Sequence, residues 1–248
     1  MLKDFTKEAF DILIQAGQSN AEGTSYGPTD TPYVPDERIW YMNENDTISL
    51  AVEKVRGNEI QSNFSLSFAR EYIRAGRLAQ GRKLLILRAA EGGTGFWNHY
   101  WRLGDDLYLH MMEMIRTALA LNPQNRLVAL LWHQGETDAV HNATFEGHYA
   151  HLSALLRSVR DTFSVPDLPF VAGDFVRHWA KDQQALCAPV VEAMRAVCTD
   201  LGHGGFVETE GLRSNAHVQG NDDTIHFCRS AVYELGLRYF DVFAEITE

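Results

Sequence analysis

The chain has 248 residues, of which 45% are hydrophobic and 22% charged, and a net charge of −11 with histidine neutral. Such a length suits one large domain over 1–248, and the composition is that of an ordinary globular protein. The acidic balance excludes a nucleic-acid partner, which needs a basic face that releases counterions; it also gives anionic substrates no long-range attraction, although a local arginine cluster could still bind one.

The first residues lack the apolar run of a signal peptide, and no stretch reaches transmembrane length. The expectation is a cytosolic protein without a membrane partner; oligomeric state leaves no signature. Cys187, Cys198 and Cys228 lack CxxC spacing and read as reduced, packed thiols.

Along the chain, apolar β-rich runs alternate with segments of helical period. Residues 11–17 (DILIQAG) read as a buried strand ending beside Ser19. The stretch 22–59, rich in Pro, Asp, Asn and Thr, reads as a long ordered excursion. A helix over 63–77 follows, then a strand over 83–90 and a helix over 105–121 with two aspartates in its first turn. A third strand over 126–133 leads to an amphipathic helix over 145–163, whose His148 and His151 lie one turn apart and read as solvated. A fourth strand covers 168–172. The next helix is expected to begin near Pro189, where a missing N–H is tolerated, and to close at Leu201 and Gly202. A short strand at 205–208 and a helix over 229–243 complete the alternation. This pattern implies a parallel sheet covered on both faces, with ligand sites at the carboxyl ends of its strands.

Four loops carry residues suited to chemistry. Ser19 stands two residues past the first strand, behind Gly17, which permits a tight turn; backbone N–H groups there can hold an anion. A helix-capping serine would look the same. The near-match to a GxSxG elbow is misplaced for an α/β-hydrolase, because almost no chain precedes it to build an oxyanion hole. Asp223 and His226 lie in a polar loop before the last helix. A serine hydroxyl needs a neutral imidazole to take its proton, and that imidazole needs a carboxylate to fix its tautomer; DxxH in one turn supplies both. An aspartate capping a helix beside an incidental histidine is the plainer alternative.

After the third strand, His133-Gln134-Gly135-Glu136 can aim the Gln134 amide at a developing oxyanion, with Glu136 supporting the loop. A metal site on His133 and Glu136 lacks a third ligand of recognisable spacing. After the second strand, the glycines at 92, 93 and 95 let backbone approach a ligand and offer amide donors. Trp97, Tyr100 and Trp101 could stack on a sugar ring or cover the core. His217 is a further candidate for substrate contact.

Taken in order, GQSN at 17–20, GGT at 92–94, HQGE at 133–136 and DxxH at 223–226 resemble the SGNH hydrolases. They resemble more closely the branch of sialate O-acetylesterases and family 6 carbohydrate esterases (acetylxylan esterases). The resemblance implies a flavodoxin-like three-layer α/β/α sandwich with a five-stranded parallel sheet. It implies Ser19 as nucleophile, His226 as base and Asp223 as its orienting partner. The implied oxyanion hole comprises the N–H of Ser19, the N–H of Gly93 in preference to Gly92, and the side chain of Gln134. Gln18, Asn20, Gly92, Thr94, Trp97, Glu136 and His217 are then substrate-binding or supporting residues. Gln134 stands where the superfamily name has Asn, as is usual in the carbohydrate branch.

The implied reaction removes O-acetyl groups from a small carbohydrate, an acetylated sialic acid or xylo-oligosaccharide, through an acetyl-serine intermediate, with no metal or organic cofactor. A sialate carboxylate would favour an arginine, for which Arg88, Arg102, Arg177 and Arg213 are suitably placed. The competing readings are an esterase or acyltransferase of other acyl groups on the same fold, and a carbohydrate-binding protein without turnover.

Overall fold

A computed structural model describes residues 4–248. Its first half runs β1 (Ala9–Gly17), α1 (Ser19–Glu22), β2 (Ile39–Met42), β3 (Ile48–Leu50), β4 (Lys54–Arg56), β5 (Glu59–Gln61), α2 (Phe64–Arg74), β6 (Arg82–Ala90) and α3 (Asp106–Ala120). The second half runs β7 (Arg126–His133), α4 (Glu136–Val140), α5 (Phe145–Thr162), β8 (Phe170–Gly173), α6 (Arg177–Ala180), α7 (Gln184–Asp200), β9 (Gly204–Val207), α8 (Ala216–Gln219) and α9 (Arg229–Glu245). No helix among the described residues is long and apolar enough to cross a membrane.

The main sheet has seven strands in the order β3-β2-β6-β1-β7-β8-β9. All neighbours are parallel except the antiparallel edge pair β2–β3. Side chains alternate across β1: Phe10, Ile12, Ile14 and Ala16 join the core beneath α3, α5 and α7, while Leu13 joins the core beneath α2 and α9. Two helical layers on a parallel sheet give the expected three-layer architecture. Asp11 and Gln15 share Leu13's face, and each is satisfied: Asp11 accepts from Arg82, Arg126 and Tyr72 at 2.7, 2.7 and 2.8 Å, and Gln15 accepts from Ser65 at 2.7 Å.

The five expected strands are all present as β6, β1, β7, β8 and β9, side by side in a flavodoxin-like order. Two further strands, β2 and β3, come from the 22–59 excursion, whose Ile39, Tyr41 and Met42 are buried. Short apolar pieces between turn residues gave no periodicity to read. The helix expected from Pro189 starts at Gln184 and carries the proline as its sixth residue. One lost N–H near a helix start is outweighed by burial of Cys187, Val190, Met194 and Val197.

β1 lies where the chain's course reverses, with β6 on one side and β7 on the other, so its carboxyl end opens at a topological switch point. Gly17 closes that strand with φ +139°, directly opposite His133, and a Cβ there would overlap the His133 carbonyl. The next amide, Gln18 N–H, donates to that same carbonyl at 3.0 Å. We expect Gly17→Ala to lower unfolding stability by about 3 kcal/mol, from strain and overpacking together, as read by urea denaturation. An unchanged midpoint would contradict this account of the β1–β7 approach.

Candidate active site

Ser19 begins the single turn of α1 and is 8% exposed. Its Oγ lies 2.8 Å from His226 Nε2, and His226 Nδ1 lies 2.7 Å from Asp223 Oδ1. The carboxylate accepts a hydrogen bond from Nδ1–H, leaving Nε2 to accept from the hydroxyl. Asp223 Oδ2 accepts from Asn215 Nδ2 at 2.9 Å. Burial pushes the Asp223 carboxyl up, but the bonds from His226 and Asn215 outweigh it and hold the group below its ordinary value. Backbone bonds pin the same loop, Asn215 N–H to His226 O and Ala216 N–H to Asp223 O, both at 2.8 Å.

The N–H groups of Ser19 and of Gly93, which follows the glycine packed on Ser19, make no hydrogen bond among the described residues. Gly92 packs on Ser19, but its N–H is taken by Glu22 Oε2 at 2.9 Å. Gly93, with φ +74°, is steadied through its carbonyl, which accepts from Asn98 Nδ2 at 2.9 Å. Gln134 differs from the expectation. It is wholly buried and gives its amide to Asp138 Oδ2 at 2.8 Å, with Gln18 Oε1 and Thr94 O at 3.4 Å. Asp138, held ionised against its burial by His148, the Trp97 N–H and Gln134, is the stronger acceptor and draws the amide inward.

The remaining polar residues of the motifs tie loops together. Gln18 Oε1 faces the N–H groups of Gly135 and Thr137 at 3.3 and 3.2 Å. Thr94 Oγ1 donates to Glu91 O and accepts from Trp101 Nε1. Asn20 donates to Ile225 O at 3.0 Å and accepts from Phe227 N–H at 3.2 Å, gripping the chain on both sides of His226. It also donates to Glu136 Oε1 at 2.7 Å. Glu136 is 1% exposed, and burial raises its pKa. His133 is bonded to the last helix. Its Nδ1 donates to Tyr239 Oη at 2.9 Å, and the tyrosine hydroxyl donates to Trp132 O. No three His, Cys, Asp or Glu side chains among the described residues are grouped to hold a metal ion.

The remaining candidates divide between surface and core. Trp97 is 50% exposed and stacked on His141, whereas Trp101 is fully buried core. His217 packs on His178 and bonds Ser214, and no bond brings it to Ser19. His148, read as solvated, is 1% exposed, because the α5 face that carries it packs against Phe96 and Asp138. Asn215, Asn98 and Asp138 were not singled out by the sequence. Only Asp138 had a signal, a carboxylate one helical turn after Gln134.

Two outcomes follow from these supports. Asn20→Ala should cost about 1–3 kcal/mol in stability and slow any reaction that uses His226, as checked by unfolding curves and esterase assay; unchanged turnover would contradict the grip on His226. His133 is pushed down to about 3 by burial alone, so it stays neutral in the fold. The unfolded chain takes up that proton first. Stability present above pH 6.5 should therefore fall by about 1.4 kcal/mol per unit as pH drops towards the folded value. His133→Gln should show a slope shallower by one proton in urea unfolding between pH 6.5 and 4.

A sequence profile described as carbohydrate esterase, sialic acid-specific acetylesterase, matches residues 9–245. A probable 9-O-acetyl-N-acetylneuraminic acid deacetylase of Escherichia coli (strain K12) is 30% identical over 89 residues, 33% of this chain and 27% of that protein. A probable carbohydrate esterase of Arabidopsis thaliana is 28% identical over 86 residues, 35% of this chain and 32% of that protein. The alignments thus span a third or less of either relative's length. The crystal structure of NanS superposes with a TM-score of 0.80 at 18% identity, covering 97% of this chain and 98% of that one, a likeness of fold.

Proposed function

The chain belongs to the carbohydrate esterase family of sialic acid-specific acetylesterases, and on that premise we propose that it is a serine esterase removing O-acetyl groups from a carbohydrate. The observation that carries this is the relay from Ser19 Oγ through His226 to Asp223, at 2.8 and 2.7 Å, together with the unbonded N–H groups of Ser19 and Gly93. A neutral imidazole, an oriented carboxylate and free amide donors are what acyl transfer to a hydroxyl requires.

His226 Nε2 takes the Ser19 proton as Oγ attacks the acetyl carbonyl carbon. Charge developing on the carbonyl oxygen is met by the N–H groups of Ser19 and Gly93. Gln134 holds the Asp138 loop rather than the oxyanion. The tetrahedral intermediate collapses, the carbon–sugar oxygen bond breaks, and the leaving alkoxide receives the proton from His226. Water then gives a proton to His226 and attacks the acetyl-serine, releasing acetate and restoring the serine hydroxyl. Asp223 holds the imidazole orientation and stabilises its protonated form throughout. The family description and the Escherichia coli relative favour an O-acetylated sialic acid over a xylo-oligosaccharide as the substrate.

Ser19→Ala should lower kcat/KM for p-nitrophenyl acetate by at least about 10³-fold with the thermal midpoint retained. The wild type should prefer the acetate to the butyrate ester. Substantial turnover by the folded variant would refute the nucleophilic role.

A further inference from the structure

We propose that a cavity beneath Trp97 is a subsite for the carboxylate of a sugar acid, seated on Arg102 with His148 and His151 beside it; the proposal deepens the esterase reading and rests on it. The cavity measures about 180 Å³, and its walls include Phe96, Trp97, Arg102, Asp138, His148 and His151. It lies between the loop that follows β6 and the turn joining α4 to α5.

His148 is buried; its Nδ1 faces Asp138 Oδ2 at 3.4 Å, an ion pair when the ring is protonated, and its Nε2 has no hydrogen-bond partner among the described residues. Arg102 Nε is also buried and unpartnered, and the guanidinium's hydrogen bonds among the described residues go to the His99 ring and not to a carboxylate, Asp105 taking only the Arg102 backbone N–H at 2.8 Å. The other expected arginines are otherwise engaged. Arg88 meets Glu44, Arg177 meets Asp174 and Glu208, and Arg213 donates to His217 O. Asp138 also lines the cavity, and its oxygens accept from the N–H groups of Phe96 and Trp97 and from Gln134. Burial, then the Arg102 charge, holds His151 below its ordinary value, leaving a neutral ring beside the cation.

An unpaired guanidinium in a recess matches the planar fork of a carboxylate. Trp97 stacks on His141, at 3.5 Å between ring centres, and is half exposed in the cavity wall, where a sugar ring can lie. Trp97 is four residues from Gly93, so this wall lies within about 15 Å of the unbonded amide. With a net charge of −11, the protein has no general attraction for an acid, and selection falls to this local cation.

The test is calorimetric titration of the wild type with N-acetylneuraminic acid and with its C1 carboxamide, which keeps the shape and removes the charge. The acid should bind at least about tenfold tighter, and Arg102→Ala should erase that difference. Equal affinities in the wild type, or an Arg102→Ala protein that still discriminates, would overturn the subsite. The wild-type comparison needs no variant, so it stands even if Arg102→Ala fails to fold. Hydrolysis of p-nitrophenyl acetate reads the esterase separately: turnover without acid preference removes the subsite alone, and acid preference without turnover removes the esterase reading alone.

Discussion

Ser19 and His226 stand 207 positions apart in the chain, and the contact between them depends on one buried amide. Asn20 follows the serine directly and bonds the backbone both before and after the histidine, so the two loops cannot drift apart independently. Its third bond runs to Glu136, at the start of α4 just beyond β7, which brings a third segment into the same fixture. Because Glu136 has no other side-chain partner among the described residues, its burial depends on Asn20.

The sheet makes this fixture possible. β1 lies between β6 and β7, so three strand ends deliver Ser19, the Gly92–Gly93 pair and Glu136 to one edge. Gly17 allows β1 to close against the His133 carbonyl, and the neutral His133 ring is locked by Tyr239 of α9 from below. The last helix therefore supports the β7 loop as well as following the loop of Asp223 and His226. A site assembled from four loops is rigid here because each is bonded to a neighbour through a buried polar side chain.

Much of this was legible beforehand. Strands read as continuous apolar runs because both faces are covered, and the five runs found that way are five contiguous strands of the sheet's parallel part, which β2 extends by one. Ser19, Asp223 and His226 stood out because a hydroxyl, a carboxylate and an imidazole at strand ends form a recognisable set. β2 and β3 were not legible, since their three or four residues carry no period. The inward turn of Gln134 was hidden for another reason: its direction depends on Asp138, whose acceptor strength comes from tertiary contacts. The burial of His148 likewise follows from what α5 packs against rather than from its own sequence.

The central claim is that Ser19 carries the acetyl group between sugar and water. The most direct measurement is to quench the wild-type enzyme with acid during turnover of an acetyl ester, digest it, and weigh the peptides. An acetyl group on the peptide bearing Ser19, chased away when substrate is exhausted, is the predicted result. Turnover with that peptide unmodified at every time point, or with the acetyl group on another residue, would contradict it.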